Sequence, residues 1–154
     1  MEREGQIERL FQKKIKVYLL KKKVTNIYAT GFYGASKSIL IGEELVQKLS
    51  PDHLLNLMAH ELGHLEKDHL FRAYVANFAA IVIYMISAYW VHPYFSSFNA
   101  YLEGTLVFVH GMFLGLLLVI IPGLVQKKFE LEADLYAALL VGREAYIATL
   151  KALN

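Results

Sequence analysis

The sequence contains no cysteine. Disulfide bonds and cysteine-ligated zinc are therefore excluded, and any metal site must use histidine and carboxylate ligands. Internal repeats and low-complexity linkers are also absent, so the 154 residues predict a single domain, 1–154, long enough to bury a core. No long apolar run precedes Arg72, and an N-terminal signal peptide is therefore not expected.

Charged residues are missing from two stretches, residues 73–91 and 104–125. Each has about the twenty residues that a helix needs to cross ~30 Å of hydrocarbon. The segment between them, 92–103, has no Lys or Arg, whereas basic residues flank the outer ends. By the positive-inside rule, the pair predicts a transmembrane hairpin of a multi-pass cell-membrane protein, with both ends in the cytoplasm. The flanking basic residues are Lys67, Arg72, Lys127 and Lys128.

The alternative for these stretches is a buried helical pair of a soluble protein, because Asn77, Ser87 and His110 are polar. A hydrophobic content of 56% favours the membrane. His110 is expected to be a packed histidine with one hydrogen bond rather than a functional group. The basic segment 1–23 is expected first to be a solvated surface, and among partners it favours anionic lipid over nucleic acid, because its lysines lack interleaved aromatics.

The region before residue 50 predicts a short N-terminal helix and a small sheet. Ile7, Leu10 and Phe11 fit one helix face. Residues 15–20, 26–30 and 38–41 are typical of strands, and 43–49 has a helical composition. In this order the predicted sheet comes directly before the next helix.

The pentapeptide His60-Glu61-Leu62-Gly63-His64 has the pattern H-E-x-x-H. On a helix, two histidines four residues apart share one face, where both can ligate a single Zn²⁺ beside the glutamate. Ser50-Pro51-Asp52 supplies an N-cap, a proline at the first helical position and an acid in the first turn. Apolar residues then recur at helical spacing: Leu54, Leu55, Met58, Leu62 and Leu65.

A catalytic zinc site takes three protein ligands and keeps one position open. A third ligand close to the motif would require Gly at 67 and His at 70, where the chain has Lys67 and Leu70. His69 is one residue out of step and is predicted to point to a different helix face. Glu66 and Asp68 are expected to be solvated.

A second helix over residues 127–138 offers a glutamate instead. Glu130 and Asp134 are four residues apart and therefore share a helix face. Glu130 is predicted to ligate zinc, and Asp134 to accept the N–H of a ligand histidine and fix its tautomer. Glu132 is expected to face solvent. An E-x-x-x-D pair alone is usually a surface feature, but beside H-E-x-x-H it predicts a complete zinc site.

The two motifs together resemble those of the HtpX and CAAX prenyl protease family of gluzincin zinc metalloendopeptidases. The family's Asn-Ala-Phe-Ala-Thr-Gly strand is similar to residues 26–31, and its Leu-Ser-Pro-Asp/Glu segment is similar to residues 49–52. The resemblance implies that His60, His64 and Glu130 bind zinc and that Glu61 is the general base. It also implies a substrate cleft along Asn26, Tyr28, Ala29, Thr30 and Gly31.

The chain departs from the family pattern in two ways. Family members usually carry membrane helices before the catalytic domain, where this chain has a basic segment. Many also extend beyond the glutamate helix with a segment that supplies a second charge stabiliser. The candidates here for stabilising the oxyanion are Tyr136, Arg143 and Tyr146, although each is more often a structural residue.

The sequence therefore predicts a mostly helical α+β membrane protein. Its small N-terminal sheet lies beside a two-helix gluzincin site, and the transmembrane hairpin is inserted between the motifs. The predicted activity is zinc-dependent hydrolysis of peptide bonds in a peptide or protein substrate, with the active site in the cytoplasm. The alternatives are a non-catalytic membrane scaffold with structural zinc and a soluble peptidase. The sequence leaves the oligomeric state open.

Overall fold

The computed structural model of the chain describes residues 15–21 and 24–153. Its strands are Lys16–Leu20 (β1), Ile27–Thr30 (β2) and Ser38–Gly42 (β3), and its helices are Glu43–Lys48 (α1), Pro51–Glu66 (α2), His69–Phe95 (α3), Ala100–Val141 (α4) and Arg143–Leu153 (α5). The small sheet and the dominance of helix confirm the predicted α+β composition. The N-terminal helix predicted around Ile7, Leu10 and Phe11 lies outside the described residues.

The sheet has the order β1-β3-β2, with β1 parallel and β2 antiparallel to the central strand. Ile39 and Ile41 of β3 are buried, and they form a core cluster with Leu45 of α1 and Leu65 of α2. The sheet thus packs against the helix that carries H-E-x-x-H. Because β2 pairs with β3 along one edge, it is an edge strand of this sheet.

Helix α2 begins where the sequence predicts. The Ser50 side chain caps the helix by accepting a hydrogen bond from the His53 N–H (3.3 Å), and Pro51 occupies the first helical position. The predicted apolar stripe faces the core, since Leu62 and Leu65 are buried and Leu54 and Met58 pack against the sheet cluster. Local sequence signals therefore fix this helix in place.

The described residues form two compact units. One contains the sheet, α1, α2, α5 and the residues from Lys128 onward; the other is 72–127 and contains most of α3 and the first part of α4. Both long helices contain an 18-residue window apolar enough to cross a membrane, with mean hydropathy 1.6 in α3 and 2.4 in α4. Neither window is buried within the protein. The predicted spans 73–91 and 104–125 lie inside these helices.

Within the second unit, His110 is a packed histidine with two polar partners. Its Nε2 lies 2.8 Å from the Ser87 hydroxyl, and its Nδ1 lies 3.2 Å from His92 Nε2. The predicted apolar span 104–125 and the predicted glutamate helix 127–138 belong to one continuous helix, α4. Pro122 lies inside that helix without ending it.

Candidate metal centre

Three predicted ligand atoms converge in the first unit. His60 and His64 lie one turn apart on α2, and their Nε2 atoms are 3.1 Å apart. Glu130 of α4 places Oε2 3.3 Å from His60 Nε2 and 3.7 Å from His64 Nε2. Zinc bonds of about 2.0–2.1 Å in tetrahedral geometry separate ligand atoms by roughly 3.3 Å. The donor set and its spacing therefore fit zinc.

Small residues allow the two ligand-bearing helices to approach closely. Ala59 and Gly63 of α2 are buried, and so are Ala133 and Ala137 of α4. A Cβ added at Gly63 would lie only 3.0 Å from Ala133 Cα, which is tighter than normal packing. Ala59 directly precedes His60, and Gly63 directly precedes His64. The close contact therefore brings the carboxylates of α4 within reach of these two histidines.

Glu61 lies between α2 and the edge strand β2. Its Oε2 accepts a 2.6 Å hydrogen bond from the Ala29 N–H. Burial raises the pKa of Glu61 to about 7, although His60 and this hydrogen bond act in the opposite direction. The carboxyl group is therefore held in a setting that favours its protonated form, next to the strand that the sequence assigns to the substrate cleft.

Asp134 contacts His60, one of the two histidines predicted to bind the metal. His60 Nδ1 lies 2.9 Å from Asp134 Oδ1, an arrangement in which the imidazole donates its Nδ1 proton and leaves Nε2 free for a metal. The buried Tyr146 of α5 donates a 2.7 Å hydrogen bond to the same oxygen and lies 2.9 Å from His60 Nδ1. Burial and the Asp134 contact raise the Tyr146 pKa, so the phenol keeps its proton.

The candidates for stabilising an oxyanion are placed differently from one another. The Tyr146 hydroxyl is occupied by Asp134 and His60, which is a supporting position. The Tyr136 Cβ lies near Gly63 at the helix contact, and Arg143 is exposed at the start of α5. The prediction of an oxyanion role stays untested for all three residues.

Two expectations about the outer residues are wrong. His69 is buried rather than directed to another surface, and its Nδ1 lies 3.0 Å from His64 Nδ1. Glu132 is not simply facing solvent, because its Oε2 lies 3.0 Å from His69 Nε2. Because α2 ends at Glu66, the chain turns before His69 and the helical phase of α2 does not extend to it. Glu132, on α4, turns from solvent because it contacts this histidine.

Asp68 lies in this turn with φ of 52°, in the left-handed region that Asp tolerates better than most residues. Its carboxylate is 2.7 Å from Lys37 Nζ, which also donates a 2.6 Å hydrogen bond to Leu65 O. Asp68 is therefore not merely solvated, although it remains half exposed. Asp68, which tolerates a left-handed conformation, was the signal in the sequence that could have predicted the end of α2.

The predicted substrate segment forms β2 and the turn that follows. Asn26 Nδ2 donates a 3.0 Å hydrogen bond to the Tyr28 hydroxyl at the surface, and Ala29 contacts Glu61 as described. Gly31 adopts φ of 93°, and a Cβ there would lie 2.0 Å from Ser36 O. Gly31 thus has a structural requirement of its own, while the role of this segment in substrate binding stays a prediction.

Comparison with known proteins identifies a family for the chain that carries this site. The sequence model described as Peptidase family M48 matches residues 4–153. Similar proteins include Protease HtpX of Legionella pneumophila (strain Corby), with 27% identity over 140 residues, and Protease HtpX homolog of Syntrophotalea carbinolica, with 32% identity over 144 residues.

These two alignments cover 87% and 86% of this chain, but 49% and 50% of the relatives. The chain therefore spans about half the length of the curated relatives it matches. No solved structure matches it significantly.

Proposed function

Because the chain belongs to peptidase family M48, we propose that it is a zinc-dependent endopeptidase that hydrolyses peptide bonds in protein substrates. The observation that carries the proposal is the convergence of His60, His64 and Glu130. Their ligand atoms lie at zinc-like spacing, one residue away from the buried carboxyl group of Glu61. A surface cluster of chance carboxylates and histidines would not require that buried acid.

The residues of the chain divide the work of peptide hydrolysis. Zinc, when bound, supplies a Lewis acid that polarises the scissile carbonyl and makes water a better nucleophile. Glu61 takes the proton from the attacking water and passes it to the leaving amine. Asp134 holds His60 in the tautomer that presents Nε2 to the metal, and Tyr146 holds Asp134.

We propose that the substrate lies in an extended conformation along the edge of β2 that faces away from β3. The Ala29 N–H donates to Glu61 rather than to β3, so this edge of the strand points toward the catalytic acid. Pairing through main-chain groups reads side chains loosely. This mode of binding suits a peptidase that accepts many sequences, with contacts along Asn26, Tyr28, Ala29, Thr30 and Gly31.

We further propose that α3 and α4 anchor the enzyme in the cell membrane as a multi-pass protein. Both helices have the length and apolar composition of a membrane span, and large apolar side chains cover their surfaces. The distribution of basic residues supports a zinc site on the cytoplasmic side. Membrane lipid is then a partner of residues 72–127.

A Glu61→Gln variant separates this proposal from a scaffold that holds zinc only for structure. We expect the variant to keep its zinc and to lose peptidase activity by about 10²–10⁴-fold, since that is the usual contribution of a general base. Activity is measured on fluorescently labelled casein, and zinc by elemental analysis of the same sample.

The matched control is Glu66→Gln, on an exposed face of the same helix. This variant should cleave casein at the wild-type rate. Unchanged cleavage in Glu61→Gln would contradict the proposed mechanism. The scaffold would be favoured if the wild type held zinc but, like Glu61→Gln, did not cleave casein.

A further inference from the structure

A second histidine lies directly behind the metal-facing histidine of α2. His69 is the first residue of α3, only 2% of its side chain is exposed, and its ring stacks on Phe129 with centroids 4.4 Å apart. Its Nδ1 lies 3.0 Å from His64 Nδ1. On its far side, Nε2 lies 3.0 Å from Glu132 Oε2. The three side chains thus form a continuous line from α4 to the metal site.

The chemistry of imidazole gives this line a direction. His64 Nε2 faces the other two ligand atoms, and a neutral imidazole that offers Nε2 to a metal carries its proton on Nδ1. That proton can only be donated to His69 Nδ1 if the latter is unprotonated. His69 then carries its own proton on Nε2, which donates to the Glu132 carboxylate.

We propose that His69 is a positioning residue for zinc, which together with Glu132 fixes the tautomer and orientation of His64. The inference rests on the proposed zinc site but goes beyond its ligands and base. His60 is held directly by a carboxylate, Asp134, whereas His64 is held by a carboxylate acting through an intervening histidine. Both carboxylates come from α4, two residues apart.

Three features of the fold hold His69 in this position: a fixed turn before it, a ring stacked on it and its burial. The turn after α2 is fixed by Lys37, which binds both Leu65 O and the Asp68 carboxylate. Stacking on Phe129 sets the plane of the imidazole. Burial keeps water from replacing His69 as the acceptor for His64. The arrangement is therefore rigid enough to select one rotamer of the ligand.

The test compares zinc affinities, measured by competition with a chromophoric chelator on the full chain in detergent. His69→Phe preserves the aromatic stack but removes the acceptor, and we expect zinc affinity to fall by about 10–100-fold, as for other residues that hold metal ligands. His69→Asn places an acceptor oxygen near the position of Nδ1 and should recover most of that affinity.

The matched control is His53→Phe. His53 also lies on α2, and its Nδ1 lies 2.8 Å from the Thr149 hydroxyl, a contact that involves none of the candidate metal ligands. It should leave zinc affinity unchanged. Equal affinity in wild type and His69→Phe would overturn the proposal, as would equal losses in His69→Phe and His69→Asn, since the latter pattern indicates packing alone.

A measurement without substitution covers the case in which His69→Phe does not fold. In zinc-loaded wild type labelled with ¹⁵N-histidine, imidazole nitrogen shifts should show His69 protonated on Nε2 and unprotonated on Nδ1. The reverse tautomer would overturn the role of His69 while leaving the zinc site intact. A wild type that binds no zinc would instead contradict the proposed function itself.

Discussion

The carboxyl group of Glu61 lies largely out of contact with water, between α2 and β2, where its burial raises its pKa to about 7. A glutamate in water is ionised at neutral pH. Ionising Glu61 in this position costs folding free energy, because burial disfavours the charged form. The hydrogen bond from the Ala29 N–H offsets part of this cost. A residue so placed is better explained by its chemistry than by its contribution to stability.

Glu61→Gln should therefore stabilise the metal-free protein at high pH. Between pH 4.5 and about 7, the unfolded chain has released the Glu61 proton while the native state retains it. Raising the pH through this window favours unfolding, and above it the destabilisation is complete. The expected gain at pH 8 is about 3 kcal/mol, since the pKa of Glu61 rises from 4.5 to about 7 and each pKa unit corresponds to ~1.4 kcal/mol.

Thermal unfolding of the EDTA-treated protein at pH 5 and pH 8 provides the measurement. The wild type should lose more stability between these pH values than Glu61→Gln, which can still accept the Ala29 hydrogen bond through its amide oxygen. Identical pH dependence in the two proteins would mean that the Glu61 carboxyl group is not disfavoured by burial.

The crossing of α2 and α4 determines whether the histidines and Glu130 meet. Gly63 makes the crossing close, because a Cβ at this position would lie 3.0 Å from Ala133 Cα and 3.2 Å from Tyr136 Cβ. Backbone atoms and a Cβ cannot rotate away as the end of a long side chain can. Any side chain at residue 63 must therefore move one helix relative to the other.

We expect Gly63→Ala to weaken zinc binding and to destabilise the protein by about 1–3 kcal/mol, as overpacking usually does. Gly115→Ala in α4 is the matched control, since its Cβ would have nothing within 4 Å. That substitution should be neutral or stabilising by about 0.5–1 kcal/mol, because alanine is the better helix former. Wild-type zinc affinity and unfolding temperature in Gly63→Ala would contradict the close-contact explanation.

Local patterns predicted most of the elements but not their arrangement. The start of α2 follows from Ser50 and Pro51, because caps act over three or four residues. The parallel pairing of β1 with β3 brings together residues such as Val17 and Ile39, which are far apart in sequence. Nothing in either strand alone specifies that partner, so the strand order came only from the structure.

The candidate site shows the same limit. A contact of Asp134 with one of the two motif histidines is predicted from helical spacing, and only the structure shows that this histidine is His60. The contacts of His69 depend on the turn at Asp68, because a shift of the chain by one residue changes which face a helical side chain occupies. Extending the periodicity of α2 past Glu66 therefore placed His69 incorrectly, and the contact of Glu132 on α4 was missed because its partner is His69.

Taken over its whole length, the molecule combines a compact unit that carries the metal ligands with an apolar helical unit, 72–127. The absence of cysteine makes the proposed membrane topology directly testable, since any introduced cysteine is unique. Ser97 lies between α3 and α4, and Lys151 lies near the end of α5 in the first unit.

Ser97→Cys should react with a membrane-impermeant maleimide added to intact cells, whereas Lys151→Cys should react only after permeabilisation. The reason is that the proposed hairpin would have its connection outside and its basic flanks inside. The opposite labelling pattern would place the zinc site on the outer side. Extraction of the wild type without detergent would argue instead for a soluble peptidase.

The zinc content of the purified chain, compared with that of Glu130→Ala, bears most directly on the proposed enzyme. Glu130 is the proposed ligand that joins α4 to the histidine pair of α2, with its Oε2 3.3 Å from His60 Nε2. We expect about one zinc per wild-type chain and a large loss in the variant, because two histidines alone do not complete a catalytic site. Undiminished zinc in Glu130→Ala, or a wild type purified without chelators that holds none, would contradict the proposal.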